Sequence, residues 1–358
     1  MRILVLTPYL YGTAPGPRSS IELWERVLEP IGITFEYSPF EDERLHDVIY
    51  QPGKLFRKTW EILRAYARRL PAMRALDRAD CVLVFREAAL VGPAIIERWV
   101  GRKGLPIIYQ LDDPLYVPYR SPSSGYLSYL KFFGKVDTIC RLSRVVIVNS
   151  YHHLEYASRL NPEVRLIPSL VDGDRYEYRP PDRDASQPIC VGWTGSLSTI
   201  PNLKVIEDVL VQLGRRDDIR LHFIGAGNFN LPRVRHTAQQ WNPDTEVEDL
   251  RQLDVGLLPL PVDEWTKRKF YLKLIQYMAL GIPTVCTPLG SNPHVVEHGV
   301  TGLFARTDRE WMSAIDQLVR DSELRRAIGR RAAAVAHQRY TVQANEPQIV
   351  DAFRCALR

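Results

Sequence analysis

The sequence contains few cysteines and no long apolar run, and both facts narrow the class of protein. Its five cysteines, in 358 residues, are odd in number and widely spaced, so we expect reduced cysteines rather than a disulfide framework or a zinc site. No apolar run approaches the ~20 residues that span a bilayer. The first stretch, MRILVLTPYLYG, is broken by Pro8 and Gly12, which favours a buried strand over a secretion signal. We therefore expect a cytoplasmic protein.

Two common phosphate-binding motifs are also missing. No G-x-G-x-x-G follows the first predicted strand, where YGTAPGPRSS forms a longer loop that contains Gly16 and Arg18. No Walker motif occurs in the chain either. The sequence therefore indicates neither a nicotinamide-dependent enzyme nor a nucleoside triphosphatase. The net charge of +5 is modest for this length, which argues against nucleic-acid binding unless the charge is concentrated in one segment.

The positive charge is concentrated in residues 54–78, KLFRKTWEILRAYARRLPAMRALDR. Apolar residues recur there near helical spacing, which predicts an amphipathic helix with one apolar stripe and a basic flank. Two compatible interpretations are open. The stripe packs on its own domain, or the helix lies on an anionic membrane, with Arg64, Arg68 and Arg69 as the expected membrane contacts. Residues 121–135, rich in aromatic and basic side chains, are a second possible contact.

Short apolar runs rich in valine and isoleucine alternate with helical segments along most of the chain. This alternation predicts doubly wound parallel sheets with helices on both faces. A polar, proline-rich stretch interrupts the pattern before it restarts, and the length suits two domains. We predict a first domain at 1–170, a linker at 171–189, a second α/β domain at 190–341 and a last helix at 344–357.

Glycine, serine and threonine follow the predicted strands of the second domain, at 192–199, 225–227 and 287–292. Ligands of open parallel sheets bind beyond the carboxyl ends of the strands, and glycine lets the backbone approach them. Any one of these loops is equally explained as an ordinary turn. Together with the basic cluster from Lys267 to Lys273 at another helix start, they predict a site for a diphosphate.

The second half of the chain resembles the carboxyl-terminal domain of the retaining family 4 glycosyltransferases. The resemblance rests on WTGSLSTIPNL, LHFIGAG, EVEDLRQLDVGLLPL and KLIQYMALGIPTVCTPLGSNPHVVEHGVTGLFA, in this order, and covers nearly all of 190–341. The first half is similar more weakly, through the loop with Gly16 and Arg18 and through YQLDDPLY at 109–116. The resemblance implies a GT-B fold, in which two doubly wound Rossmann-like α/β domains face a cleft. It also implies an acceptor on the first domain, a nucleotide-sugar on the second, and a last helix that packs back on the first.

The pair of glutamates usual in that family is replaced here. The resemblance places Gln276 where the second glutamate typically holds the ribose, and Arg268 where the first typically touches the transferred sugar. An amide still bonds a ribose hydroxyl, at a loss of ~1 kcal/mol relative to a carboxylate. A polar helix residue that touches no ligand is the alternative for Gln276. The family's usual basic phosphate ligands are also absent, and we expect Lys269 and Lys273 to replace them.

The resemblance and the strand-end residues together define the expected site. The donor-binding residues are Gly16, Arg18, Gly195, Ser196, Thr199, Lys269, Phe270, Tyr271, Lys273, Gln276, Gly290, Ser291, Asn292 and Glu297. The catalytic candidates are Asp112, Asp113 and Lys269. Either aspartate can orient an acceptor hydroxyl or support positive charge on the sugar, and a helix cap is the alternative for Asp113.

Neither a metal nor a cofactor is expected, and the nucleotide-sugar is a substrate. Asp112 and Asp113 superficially resemble a metal-binding pair, but adjacent carboxylates supply few ligands and cationic side chains are already available. His152 and His153 are expected to be surface or packing residues.

The expected function is transfer of a hexose-type sugar from a nucleotide-diphosphate sugar to a glycan or lipid-linked acceptor, with retention and without metal. We expect no nucleic-acid partner, and an enzyme on the inner face of the membrane if the anionic surface is a partner. Two alternatives stay open, a non-catalytic nucleotide- or glycan-binding relative and a nucleotide-sugar epimerase of the same fold.

Overall fold

The computed structural model describes residues 1–49, 51, 53–118, 130–180, 186–225 and 231–357. They form two compact units, composed of Met1–Ser169, Arg268–Phe270 and Asn345–Arg358 in the first and of Leu170–Lys267 and Tyr271–Ala344 in the second. The segment Arg268–Phe270 thus groups with the amino-terminal unit. Parts of three predicted features lie outside the described residues: 121–129 of the second membrane contact, 181–185 of the linker and 226–227 of one glycine loop.

The first unit is built on a six-stranded parallel sheet. Its elements are β1 (Arg2–Thr7), α1 (Pro15–Arg18), α2 (Ile21–Leu28), β2 (Thr34–Pro39), α3 (Glu43–Ile49), α4 (Leu55–Ala72), β3 (Cys81–Phe85), α5 (Ile95–Arg102), β4 (Ile107–Leu111), α6 (Lys135–Leu142), β5 (Val145–Val148), α7 (Tyr151–Ser158) and β6 (Val164–Leu166). The strand order is β2-β1-β3-β4-β5-β6, and each neighbouring pair is parallel. β2 lies on one side of β1 and all later strands lie on the other, so the topological switch point is between β1 and β3. The loops after these two strands flank the position where ligands of such sheets usually bind.

The second unit repeats this architecture. Its elements are β7 (Ile189–Thr194), a 3-10 helix (Leu197–Ile206), α8 (Glu207–Leu213), β8 (Ile219–Ile224), β9 (Thr237–Gln239), α9 (Glu246–Arg251), β10 (Val255–Leu258), α10 (Leu272–Ala279), β11 (Thr284–Cys286), α11 (Asn292–Val295), β12 (Leu303–Phe304), α12 (Asp308–Arg320) and α13 (Ser322–Arg339). The order is β12-β11-β10-β7-β8-β9, again with parallel pairs. Here the switch point lies between β7 and β10, so α10, which follows β10, starts near it.

The apolar strand sequences explain why both sheets are covered on two faces. Every residue of β3, β4, β5 and β10 is buried, as expected for near-continuous apolar runs in parallel sheets. The prediction of two doubly wound α/β domains is therefore confirmed. All five cysteines are free, and Cys81, Cys140, Cys190 and Cys286 are buried.

The last helix, α14 (Val342–Leu357), contributes its residues from Asn345 onward to the first unit. There Phe353 stands edge-on to Trp24, with ring centroids 6.1 Å apart, and stacks on Phe35 at 5.7 Å. These aromatic contacts anchor the end of the chain on the first unit.

Helix α4 presents its apolar stripe outward, opposite to the usual arrangement. Phe56 is 93% exposed and Trp60 66%, and Leu63 and Leu70 on the same face are also exposed. The opposite face, with Lys58, Glu61, Ala65 and Arg69, is buried. The interpretation that the stripe packs on its own domain is therefore wrong. Within the described residues, no helix combines the length and the hydrophobicity needed to cross a bilayer.

Arg69 was predicted to contact a membrane, but its side chain is buried, so this prediction is wrong. Its side chain donates hydrogen bonds to the hydroxyl of Ser38 at 2.7 Å and to the carbonyls of Thr7 at 3.3 Å and Ala88 at 2.7 Å. The Thr7 carbonyl ends β1 and also accepts from the backbone N–H of Phe40 at 2.8 Å, and the Ala88 carbonyl lies in the loop after β3. Arg69 is 3% exposed and holds strand ends together. Arg64 and Arg68 keep more than a third of their side-chain surface exposed, beside Glu61 and Asp42.

Candidate active site

Asp112 and Asp113 lie directly after β4 and share one guanidinium. Arg86, which follows β3, binds Asp112 through two contacts, Nε to Oδ1 at 2.5 Å and Nη2 to Oδ2 at 2.8 Å. Its Nη2 also lies 2.5 Å from Oδ2 of Asp113. Both aspartates are 6% exposed. A forked pair of this kind fixes the orientation of both carboxylates at the end of β4, next to the switch point of the first sheet.

Arg86 was missed by the sequence analysis, although it directly follows the apolar run CVLVF. Its backbone is left-handed, with φ of 60°, a conformation that costs on the order of 1–2 kcal/mol for a residue with a side chain. Arg86 also donates to the hydroxyl of Tyr9, and its guanidinium carbon lies 5.3 Å from the centre of that ring. The two carboxylates and the ring explain how a strained, buried arginine is held in place.

Lys269 supplies the second cation of this cluster. Its Nζ lies 3.0 Å from Oδ1 of Asp113. Although burial works against the charged form, the charges of Arg86 and Lys269 hold the pKa of Asp113 well below its usual range. Burial raises the pKa of Asp112 above its ordinary value, against the opposing attraction of Arg86. Of the two carboxylates, Asp113 therefore keeps its charge to the lower pH.

Gly16 brings α1 against the same cluster. A Cβ atom at this position would lie 2.7 Å from Oδ2 of Asp112 and 3.2 Å from Nη2 of Arg86. Only glycine permits this approach without displacing the carboxylate. Arg18 is half-buried on the same short helix. The structure thus brings Gly16, Asp112, Asp113 and Lys269 together, four of the predicted site residues.

His153 is buried behind the acid cluster rather than on the surface. Its Nδ1 lies 3.0 Å from Oδ1 of Asn149, and Nδ2 of Asn149 donates to the carbonyl of Asp112 at 3.0 Å. Burial lowers the pKa of His153 to about 3, so the ring is neutral. Since Oδ1 only accepts, Nδ1 carries the proton. Nε2 is buried and has no hydrogen-bond partner within the described residues.

In the second unit, the end of β7 meets the start of α10. The Nζ of Lys273 lies 4.5 Å from the ring centre of Trp193 and 3.5 Å from Oγ1 of Thr199. A Cβ at Gly195 would lie 2.6 Å from the same Nζ. Thr199 also closes a turn onto the carbonyl of Ser196 at 3.0 Å. Predicted residues 195, 196, 199 and 273 therefore lie together at the switch point of the second sheet.

The loop after β11 holds three further predicted residues. Gly290 has φ of 61°, and Nδ2 of Asn292 donates to the carbonyl of Thr287 at 2.8 Å. Oγ of Ser291 and Oδ1 of Asn292 are buried without a hydrogen-bond partner among the described residues. Glu297, predicted at the donor, is exposed after α11, where its backbone N–H bonds Oγ1 of Thr301 at 2.9 Å.

The remaining predicted residues belong to different units: Arg268 and Phe270 to the first, Tyr271 and Gln276 to the second. Phe270 and Tyr271 are both buried, and the hydroxyl of Tyr271 donates to the carbonyl of Thr266 at 3.2 Å. The carbonyl of Arg268 accepts from Oγ of Ser150 at 3.3 Å, within the first unit. Gln276 is buried and bonds side chains of its own unit. Among the described residues, no group of three or more His, Cys, Asp or Glu side chains is placed to hold a metal.

One region of the sequence is similar to a known family. Residues 188–321 match the family model for glycosyl transferases group 1. TuaH of Bacillus subtilis (strain 168), named as a glycosyltransferase of teichuronic acid biosynthesis, is 23% identical over 56% of this chain. N-acetyl-alpha-D-glucosaminyl L-malate synthase of Bacillus anthracis is 34% identical over 21% of it. The matches span 58% and 20% of the lengths of these two relatives.

Comparison with solved structures identifies the fold. HepE of Anabaena in complex with UDP superposes with a TM-score of 0.70 at 18% identity, covering 99% of this chain and all of that one. The HepE complex with UDP-glucose gives 0.68 at 16% identity, with 99% of each chain covered. Sucrose-phosphate synthase from Thermosynechococcus elongatus gives 0.68 at 15% identity, covering 99% and 98%. The chain has the GT-B fold, as predicted.

Proposed function

We propose that the chain is a glycosyltransferase that takes its sugar from a nucleoside-diphosphate sugar. The observation that carries the proposal is the Lys273 ammonium, held at Gly195 and Thr199 within the region matched to glycosyl transferases group 1. Breaking the bond between sugar and diphosphate builds negative charge on the leaving group, and a preplaced cation at a helix start stabilises that charge. We therefore place the donor diphosphate at the start of α10.

Uridine is the base that we propose first. HepE, similar over nearly all of this chain, was solved with UDP and with UDP-glucose. Ser291 and Asn292 support a sugar or nucleotide contact near α11, because each has a buried polar atom without a partner in the described chain. A buried hydroxyl or amide oxygen is stabilised by a hydrogen bond that a ligand hydroxyl can provide.

The first unit would receive the acceptor. Asp113 stays charged there and lies next to the switch point, with Asp112, Arg86 and Lys269. We propose that Asp113 orients an acceptor hydroxyl or stabilises positive charge on the sugar. Transfer of a hexose with retention, without metal, to a glycan or lipid-linked acceptor is the finer form of the proposal. The cations named here would supply the electrostatic stabilisation that a metal provides in other transferases.

A thermal-shift screen with UDP, GDP, dTDP and ADP tests donor binding. We expect UDP to raise the unfolding temperature, and EDTA to leave that shift unchanged. Incubation with UDP-sugars, with and without acceptor glycans, then separates the alternatives. Isomerised donor in the absence of acceptor would indicate an epimerase. Tight UDP binding with no product under any acceptor would indicate a non-catalytic binding relative, and no response to any nucleotide would refute the proposal.

We further propose that α4 attaches the protein to an anionic membrane, close to a lipid-linked or membrane-proximal acceptor. Five large apolar residues of this helix are exposed: Leu55, Phe56, Trp60, Leu63 and Leu70. The exposed basic residues beside them, Arg57, Arg64 and Arg68, lie on one flank. A second copy of the chain would bring like charges together, whereas an anionic leaflet complements them at about 1 kcal/mol for each cation near the surface.

A further inference from the structure

Gln276 lies in a buried hydrogen-bond network that no sequence pattern indicates. Its Nε2 donates to the hydroxyl of Tyr176 at 2.8 Å and to Oε1 of Glu246 at 3.2 Å. The Tyr176 hydroxyl donates in turn to Oε2 of Glu246 at 3.0 Å, and Nε1 of Trp241 donates to Oε1 of Glu246 at 2.9 Å. The network joins α10, the start of α9 and the segment after residue 170, all within the second unit.

The chemistry of the partners fixes which end of the Gln276 amide points inward. The oxygens of Glu246 accept from Trp241 and Tyr176, and only the NH2 end of Gln276 can donate to them as well. Burial raises the pKa of Tyr176, so its hydroxyl keeps the proton that it donates to Glu246. Both N–H donors of Gln276 are then engaged. Its Oε1 accepts no hydrogen bond within the described chain and is not among the buried unpaired atoms, although the residue is only 7% exposed.

We infer that Glu246 is a positioning residue, which with Tyr176 orients the Gln276 amide so that Oε1 is its one acceptor for a ligand hydroxyl. This inference rests on the proposed nucleotide-sugar donor, whose ribose supplies such a hydroxyl. The buried carboxylate of Glu246 sets the direction of the amide and does not itself bind the ribose, because its two oxygens already accept hydrogen bonds from Trp241, Gln276 and Tyr176. Nη2 of Arg175 also lies 3.8 Å from its Oε2.

The inference reverses the effect expected from restoring a glutamate at position 276. A carboxylate in free surroundings accepts hydroxyl hydrogen bonds more strongly than an amide. Here Gln276→Glu would place a second carboxylate against Glu246, with no N–H to separate the two charges. The substitution is therefore expected to weaken nucleotide binding. Exchanging the two side chains should repair the damage, because a donor amide at 246 would again face an acceptor at 276.

Calorimetric titration with UDP at neutral pH tests whether exchanging the side chains at 276 and 246 restores nucleotide binding. We expect Gln276→Glu to weaken UDP binding by ~10-fold or more, and Glu246→Gln by a smaller factor, within the range of coupling between contacting buried groups. The double variant Gln276→Glu with Glu246→Gln should bind UDP within ~3-fold of the native chain. Glu248→Gln, an exposed substitution on the same helix, should change nothing. Tyr176→Phe, which keeps the ring, should weaken binding without unfolding the protein.

Thermal unfolding without nucleotide separates this inference from the proposed function. Both single substitutions should lower the unfolding temperature, and the double variant should recover most of the loss. If the double variant recovers its unfolding temperature but the native chain binds no nucleoside diphosphate, the proposed donor is wrong, and so is the proposed contact of Gln276 with its ribose. If the native chain binds UDP but the double variant binds it no better than Gln276→Glu alone, the positioning role of Glu246 is overturned and the donor proposal stands.

Discussion

The ammonium nitrogen of Lys269 lies 3.0 Å from Oδ1 of Asp113, and these two residues are 156 positions apart in the sequence (269 − 113). The sequence predicted Lys269 at the donor diphosphate and also, with Asp112 and Asp113, among the catalytic residues, but it predicted no ion pair between Lys269 and Asp113. The pair changes the role that we assign to Lys269. Its charge helps to keep a buried carboxylate ionised, so its removal affects Asp113 directly.

Lys269→Met is expected to reduce both activity and stability. Breaking a buried ion pair leaves a carboxylate with one cation fewer, which costs about 3–5 kcal/mol when the pair is fully buried. The Lys269 side chain is 32% exposed, so we expect the lower end of this range or less. Sugar transfer should fall by ~10-fold to 1,000-fold, in the range found for lost electrostatic contacts. Urea unfolding and initial rates measure the two effects. Lys267→Met, an exposed neighbour paired with Glu264, is the control, and equal rates for both variants would refute the role.

Lys273→Ala is expected to weaken donor binding while leaving the fold intact. The side chain packs on Trp193 and lies beside Gly195. UDP affinity should fall ~10-fold to 1,000-fold by analogy with other lost phosphate contacts. Titrations with UDP and with uridine test whether Lys273 contacts the diphosphate. Only UDP, which carries the diphosphate, should then bind more weakly to the variant. Lys204→Ala, exposed in the same unit, should bind as the native chain does.

Acidification is expected to destabilise the protein through His153. Its pKa is about 3 in the folded chain and about 6.5 when exposed, so between these values the unfolded chain binds more protons. The unfolding free energy therefore falls as pH falls below 6.5, by ~2 kcal/mol at pH 5 for this residue. The charged groups that act on it are Asp113, Lys269 and Arg86, with His152 beside it.

The comparison of His153→Gln with His152→Gln isolates this effect. Urea unfolding at pH 7 and pH 5 should show a smaller loss of stability on acidification for His153→Gln than for the native chain. His152→Gln should keep the native dependence. An identical pH dependence in all three proteins would mean that His153 does not titrate as its burial implies.

Membrane attachment through α4 is expected to need the apolar stripe. Trp60→Ser with Leu63→Ser removes two exposed side chains, each worth ~1.5–3 kcal/mol when buried in lipid. Co-sedimentation with phosphatidylglycerol vesicles at low salt should therefore fall at least ~10-fold relative to the native chain. Reversal of Arg57 and Arg64 to Glu should also reduce it.

Controls separate the membrane from other partners. Ile95→Ser alters an exposed apolar residue on α5 and should leave co-sedimentation unchanged, and phosphatidylcholine vesicles should bind little. Equal recovery in the supernatant with and without anionic vesicles would refute the attachment. Loss of a dimer by Trp60→Ser with Leu63→Ser in sedimentation velocity would assign the stripe to a second copy of the chain.

Much of the fold could be read from the sequence. Apolar runs such as CVLVFRE predict buried parallel strands because a strand covered on both faces has no polar side. Glycine at 195 beside a basic helix start predicted the neighbourhood in which Lys273 now lies. These features are local, and their spacing alone determines the conformation.

The tertiary structure decided which surfaces those elements meet. Helical periodicity in 54–78 established that the apolar residues share one face, but not that the face points outward while Arg69 binds carbonyls at strand ends. The bonds of Gln276 to Glu246, 30 residues away, and of Arg86 to Asp112, 26 away, depend on loops that bring separate elements together. The free energy of a buried charge depends on the group that it contacts in space. The spacing of residues in the sequence does not identify that group.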